Sequence, residues 1–466
     1  MNKYKSICVL TVATFLMLPL TVTAEEPSVS FQDEELEYKI YDPRPSDRII
    51  SRGEYINKLH GFWLGVSIAN WTGLLTEMDR VDYPFYTDDD WSNDITPIVS
   101  GDYGNDSQSL GYVFFEQGKV WGSDDDTDIE YMYQHLLDQH NVSILSGEQI
   151  REGWLKHIYS NEDAPIYGRN IIRENFLWVS NENAYYLMKD RGLTPPETSE
   201  PNNNSDYNMI DAQLTTEIFG LLAPARPDIA LKMAHLPIRT TAKDEAEWIS
   251  EFYVIMHSLA SAVDKSLSMK QQTQWMAEKA RERLPDNSYP AKMYDFIKKS
   301  YEVNTDKDDW EFTRDAVYIR YQRVSRDGYQ YRSAFDAGIN FAASLVSLFY
   351  GEGDLPKTVK IGSLAGWDSD NPTATWGGLL GFMLGKEGVE NSFGRHDLSQ
   401  SYRISRTRRN FPDHTPDIAG EDTFSLMAKR GVLIIDRVVM EQMKGGVDLD
   451  KNIWHIPALD SINDQD

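Results

Sequence analysis

The chain has 466 residues, 41% of them hydrophobic, and a formal net charge of −27. That length supports one large domain or two smaller ones with a full core. The acidity argues against nucleic acid or an anionic membrane surface as a partner, because neutralising phosphates requires clustered Lys and Arg.

The N-terminus has the pattern of an export signal, expected to span residues 1–24. Lys3 and Lys5 supply the charge, Val9–Leu20 the apolar run, and Val22–Ala24 a small-residue cleavage site before Glu25. The run is too short to span a bilayer, and no later segment has the uninterrupted apolar length. The only cysteine, Cys8, lies inside this signal. The mature chain is therefore expected to lack disulfides, Cys-ligated zinc and a cysteine nucleophile. The expected location is a bacterial periplasm, with secretion as the alternative.

Residues 25–50 are acidic and Pro-containing and read as an extended arm. From Tyr55 the pattern turns helical, with Ile56, Leu59, Trp63 and Val66 on one side and Gly61, Gly65 and Gly73 interleaved. Glycines at that spacing let helices approach closely while costing helix propensity, which implies a packing or ligand reason for them. Glu77 falls in the loop that ends this segment. The acidic run Asp88–Asp90 is followed by an aperiodic stretch with Pro97 and reads as a loop.

A second acidic run, Asp124, Asp125 and Asp126, is different. After Thr127, the residues Ile129, Met132, Tyr133, Leu136 and Leu137 fall at i, i+3, i+4, i+7 and i+8, so the triplet stands where a loop enters a buried helix. Three adjacent carboxylates held there repel one another, and a hard divalent cation bound through oxygen relieves the repulsion. The plainer alternative is a cluster capping the helix and complementing its dipole.

Further helical patterns cover 148–158, 177–190, 212–223, 227–236, 245–263, 291–303, 334–350 and 422–443. Pro195, Pro196 and Asn202–Asn204 mark a long loop. Strand-like alternation is scarce. The expected fold class is all-α, a single large multi-helix domain over 51–450 with a C-terminal tail over 451–466.

The late acidic site is Asp368 and Asp370, with Asn371 and Pro372 read as the cap and first position of a helix. Trp376, Leu379, Leu380, Met383 and Leu384 form its buried stripe, and Gly377, Gly378, Gly381 and Gly385 thin it for close packing. Two such helix entrances converging would give five carboxylates and neither His nor Cys, an oxygen shell suited to Mg²⁺, Mn²⁺ or Ca²⁺. Five negative charges call for two ions rather than one. Arg403, Arg406, Arg408 and Arg409 form the one basic cluster. They read as an exposed face paired with carboxylates, and a weaker reading has them reaching the site.

With these motifs in place, the sequence resembles the ADP-ribosylglycohydrolase family over most of residues 55–445. Asp124–Asp126 before Thr127 is similar to the family's early Thr-Asp-Asp motif, with Asp124 in the Thr position. Asp368, Ser369, Asp370 and Asn371 are similar to its late Asp-x-Asp-Thr motif, with Asn371 for Thr and Thr373 as a nearby substitute. Ala69–Glu77 resembles its Gly-Asp-x-x-Gly-x-x-x-Glu segment, with Asn70 for Asp and Gly73 and Glu77 kept. The stretches 177–184, 192–196, 219–227 and 350–354 resemble a divergent bacterial branch. The family's Asn-Gly segment has no clean counterpart around Asn208–Gln213, and its His-containing stretch reads Thr240–Asp244 here.

The resemblance implies an all-α fold and a hydrolase, specifically a glycosidase with a binuclear magnesium site. It implies Asp124, Asp125, Asp126, Asp368, Asp370 and Asn371 as metal ligands. Asp125 or Asp370 would orient the attacking water, and Glu77 would contact the substrate ribose or act in acid–base catalysis. The implied substrate is a small ribosyl or ADP-ribosyl compound cleaved at its anomeric carbon. The rival readings are a hydrolase of another glycosyl compound and a non-catalytic binding protein on the same scaffold. A serine hydrolase is disfavoured for want of a Gly-x-Ser-x-Gly elbow, and a zinc protease for want of His-Glu-x-x-His.

Overall fold

The computed structural model describes residues 31–92, 110–122, 124–164, 173–175, 177–404 and 421–458. The signal-like segment, Arg406, Arg408 and Arg409 lie outside the described residues. The helices, in chain order, are α1 (Arg52–Gly73), α2 (Asp125–Gln139), α3 (Gly147–His157), α4 (Val179–Arg191), α5 (Ile218–Leu222), α6 (Pro227–Ile238) and α7 (Glu245–Leu259). They continue with α8 (Met269–Arg281), α9 (Tyr289–Val303), α10 (Glu311–Val317), α11 (Ala337–Gly351), α12 (Leu355–Leu364), α13 (Asp370–Phe393) and α14 (Phe424–Glu441). The strands are β1 (Arg48–Ser51), β2 (Ser401–Arg403), β3 (Glu421–Thr423), β4 (Gly446–Asp448) and β5 (Ile453–Ile456). The fold is all-α, as expected. Among the described residues no helix is long and apolar enough to cross a membrane.

The helix pair α1 and α13 forms the axis of the core, with α2, α12 and α14 around it. Glycine makes that pairing possible. A Cβ on Gly65 would sit 2.3 Å from the Gly377 carbonyl oxygen, and one on Gly73 would sit 2.3 Å from Asp370 Cα. At both places backbone lies against backbone, so no larger residue fits without moving a helix. The apolar stripe of α2 is buried as expected, and Glu130, Gln134 and His135 on its other faces are buried too.

Several elements depart from the sequence reading. Residues 212–223 form a 3-10 turn at Ile210–Ala212 and only the short α5. Thr215 and Thr216 donate their hydroxyls to the carbonyls of Asp211 (2.9 Å) and Ala212 (2.6 Å), which competes with regular helix formation. Helix α13 begins at Asp370 with Ser369 as its cap residue, ahead of the Asn371–Pro372 start that was expected, and it kinks at Gly385, where φ is 71°. Helices α8, α10 and α12 were not anticipated.

The described parts of the arm, residues 31–50, and of the tail, residues 451–458, are tied into the fold. Strand β1 pairs antiparallel with β5, which pairs with β4, so residues 48–51 and 453–456 close one small sheet. Further along the arm, Tyr38 and Asp33 reach Asp436 (2.8 Å) and Arg437 (2.7 Å) on α14.

Candidate metal centre

Helix α2 opens with Asp124 as its N-cap, in extended backbone, accepting a hydrogen bond from the Asp125 N–H at 3.0 Å. Helix α13 opens at Asp370. Each acidic cluster therefore sits in the positive field of a helix N-terminus, which lowers the cost of holding anionic charge there. The C-terminal end of α1 enters between them. Asn70 donates its amide to Asp126 at 2.7 Å, Asp124 at 3.2 Å and Asp370 at 3.4 Å. Beyond α1, the Met78 N–H bonds the Trp367 carbonyl (2.9 Å), the Trp367 N–H bonds the Arg80 carbonyl (3.0 Å), and Thr76 meets Ser369 at 2.9 Å. These bonds zip the Glu77 loop onto the Asp368 loop.

The result is two overlapping groups of carboxylates. Oxygens of Asp124, Asp126 and Asp370 lie within 4.8 Å of one another, as do oxygens of Glu77, Asp368 and Asp370. Asp370 belongs to both. Its Oδ1 is buried with no hydrogen-bond partner, and so is Oδ1 of Asn70. Asp124, Asp126, Asp368 and Asp370 are each at most 6% exposed. Burial, then the charges of Asp124 and Asp125, push the Asp126 carboxyl well up. Burial, then Asp370 and Glu77, do the same to Asp368, and burial, then Glu77 and Asp126, to Asp370. An oxygen-only donor set with orphaned acceptors and mutually repelling carboxylates fits a hard dication in charge and chemistry.

The structure brings together Glu77, Asp124, Asp125, Asp126, Asp368 and Asp370 around one cavity. Asp125 is half-buried and lines that cavity without joining either close group. Asn371 does not line the cavity, and it offers its amide N–H to Asp126 Oδ1 at 3.2 Å, which orients that carboxylate. The Thr373 hydroxyl donates to the Ser369 carbonyl at 2.6 Å, and Thr373 does not line the cavity. Arg403 pairs with Glu421 at 3.0 Å on the small β2–β3 ribbon and does not line the cavity.

The opposite wall was not read from the sequence. It consists of Trp178, Val179, Ile210, Asp211, Leu214 and Phe335. Trp178 cannot cap α4, and Asp211 does so from across the chain, accepting from Ser180 Oγ (2.6 Å) and the Asn181 N–H (2.8 Å). Burial raises the Asp211 carboxyl to about 6. Val179 takes φ 38°, a strained value for a β-branched residue and the kind of strain that gathers at functional sites.

A family model described as ADP-ribosylglycohydrolase matches residues 51–418. Among solved structures, the chain is similar to an "ADP-ribosylglycohydrolase-related protein complex" at 13% identity and a TM-score of 0.48, covering 82% of this chain and 99% of that chain. No curated protein matches the sequence.

Proposed function

Since the chain belongs to the ADP-ribosylglycohydrolase family, we propose that it is a metal-dependent glycohydrolase cleaving a glycosidic bond at a ribosyl anomeric carbon, with an ADP-ribosyl group as the first substrate to test. The observation that carries this reading is Asp370, whose buried oxygens are shared by both carboxylate groups. Asp124, Asp126, Asp368, Asp370 and Glu77 would hold two divalent cations, Mg²⁺ first, with Mn²⁺ or Ca²⁺ as alternatives. Bound there, such ions supply Lewis acidity and lower the pKa of a coordinated water.

The chain's own residues would do the rest. Asn70 and Asn371 hold the Asp126 carboxylate in place through their amide N–H groups. Asp125, half-exposed at the rim, would orient the attacking water. Glu77 would contact the ribose through the carboxylate oxygen left free by the cation. The carboxylate field stabilises the positive charge that develops on the ring as the anomeric bond breaks. A second reading, hydrolysis of another ribosyl or glycosyl compound, draws support from the Trp178–Phe335 wall and Asp211. A largely apolar face beside carboxylates suits a neutral aglycone better than a diphosphate. We also propose that the mature protein acts outside the cytoplasm, after cleavage behind Ala24.

The test is calorimetric titration of Mg²⁺ and Mn²⁺ into the chelator-treated protein, with and without ADP-ribose. Asp370→Ala should abolish cation binding, and Asp125→Ala should weaken it less while removing turnover. Cation binding without ADP-ribose binding would move the substrate to the second reading. Binding of both with no hydrolysis would leave a binding protein. No cation binding would return both clusters to helix capping.

A further inference from the structure

One helical turn beneath the carboxylate site lies a second acidic pair. Glu130 follows Asp126 by four residues and so shares its face of α2. Thr375 follows Asn371 by four on α13. Glu217, just before α5, joins the two helices: its Oε1 accepts the Thr375 hydroxyl at 2.6 Å, and its carboxyl lies beside that of Glu130. Two backbone amides complete the junction, Ile218 N–H to Glu130 Oε1 (2.9 Å) and Thr216 N–H to Glu217 Oε2 (3.2 Å). Both glutamates are at most 4% exposed. Two buried carboxyls in contact must share a proton, and burial raises Glu217 to about 7 and Glu130 well above its ordinary value. Glu217 accepts a hydrogen bond at each of its oxygens while Glu130 accepts at Oε1, so the shared proton is placed on Glu130, which donates to Glu217. From α7, Tyr253 faces Glu217 with its hydroxyl held by Ser344 (2.6 Å), and the neutral ring of His257 lies near the Thr375 backbone.

We propose that Glu130 and Glu217 are positioning residues, a hydrogen-bonded brace that fixes the spacing of the α2 and α13 N-termini and thereby the cation affinity of Asp124, Asp126 and Asp370. Neither glutamate lines the cavity. Each acts through the helix that carries the site aspartates. The inference rests on the cation reading given above.

The experiment is Mg²⁺ calorimetry on the chelator-treated protein and four variants, with thermal unfolding of each metal-free protein alongside. Glu217→Ala and Glu130→Ala should weaken Mg²⁺ binding by about tenfold to a hundredfold. Glu130→Gln keeps a donor toward Glu217 and an acceptor for Ile218, and should restore affinity to within about threefold of wild type. Thr375→Val cuts only the α13 end of the brace and should remain folded if the alanine variants do not. It should cost several-fold in affinity. Wild-type affinity in the folded alanine and valine variants, whatever their melting temperatures, overturns the brace. So does a Glu130→Gln variant as weak as Glu130→Ala. If wild type itself binds no Mg²⁺, the cation reading has failed and the brace falls with it.

Discussion

The two ends of α1 meet buried carboxylates in opposite ways. At its first residue, Arg52 reaches Asp436 through Nε (2.9 Å) and Nη2 (2.6 Å), while Trp454 Nε1 (2.7 Å) and the Tyr38 hydroxyl (2.8 Å) complete the carboxylate's hydrogen bonding. The guanidinium is satisfied in turn by Asn452 (2.9 Å) and the Phe31 carbonyl (2.7 Å). At the other end, Asn70 brings one neutral amide to three aspartates, and Asp370 keeps an orphaned oxygen. The first arrangement is electrically closed within the chain and ties together the arm, α14 and β5. The second is short of positive charge by construction. Buried charge that the fold completes serves stability, whereas buried charge left incomplete marks where a ligand is expected.

The sharpest way to break this comparison is at the closed end. Arg52→Ala leaves Asp436 buried without its cation and should cost about 3–5 kcal/mol of unfolding free energy in a denaturant titration. A loss under about 1 kcal/mol would mean that Asp436 had simply taken up a proton, and the distinction between the two ends would collapse.

Next in size is the contact that holds the open end together. Gly73→Ala would press a methyl against Asp370 Cα and, at 2.9 Å, the Ser369 carbonyl oxygen. It should destabilise the metal-free protein by about 1–3 kcal/mol. Because the strain falls on Asp370, Mg²⁺ affinity should drop as well, which the same calorimetry reads. Stability lost without affinity would separate the glycine contact from the site.

At the aspartates themselves the sign should reverse. Asp126, Asp368 and Asp370 have carboxyls raised above their ordinary value of 3.8 in the fold. A raised folded pKa means that the folded state binds more protons than the unfolded chain. The stabilisation is full below the ordinary value and is lost as pH rises through the raised ones. In chelator, the melting temperature should therefore fall from mildly acidic to neutral pH, and Mg²⁺ should reverse the fall by binding the folded state. Asp126→Asn removes one of the repelling charges. It should stabilise the metal-free protein by about 1 kcal/mol near neutral pH, flatten its pH profile and weaken Mg²⁺ binding. A metal-free wild type that gains stability with pH would contradict the premise.

What could be read from the sequence was the local part of this design. A run of aspartates before a 3.6-residue apolar period located both helix entrances, and glycines at Gly65, Gly73 and Gly377 announced a close helix pair. Features that depend on three-dimensional assembly left weaker traces. Asn70 stood out only as a mismatch in a motif, yet its place at the end of α1 lets its amide touch three aspartates. Asp211 and Trp178 come from a 3-10 turn and a helix start joined by a tertiary cap, and Glu130 and Glu217 are single residues in separate stretches. The sheet joining β1 to β5 is four residue pairs long and links opposite ends of the chain, too short and too distant to show as periodicity. For α8 a signal did exist: Ser268 and Gln271 form a capping box.

The smallest predicted effect belongs to the acidic run that resembles the site in sequence and not in structure. Asp88, Asp89 and Asp90 are exposed on a 3-10 turn, and two of the three carboxylates have partners of their own. Asp88 accepts from Trp310 Nε1 at 2.9 Å and Lys360 Nζ at 2.8 Å, and Asp90 from the Thr87 N–H at 2.8 Å. Asp88 itself stands in solvent and belongs to no group of converging carboxylates, so Asp88→Asn should change stability by no more than about 1 kcal/mol. Mg²⁺ affinity should stay at the wild-type value, because Asp88 belongs to neither group of converging oxygens. A loss of affinity comparable to that of Asp126→Asn would show that net acidity, rather than the convergence of two helix N-termini, governs cation binding. Three carboxylates in a row are common to both runs. What separates them is the helix buried behind one and the second acidic loop brought to face it.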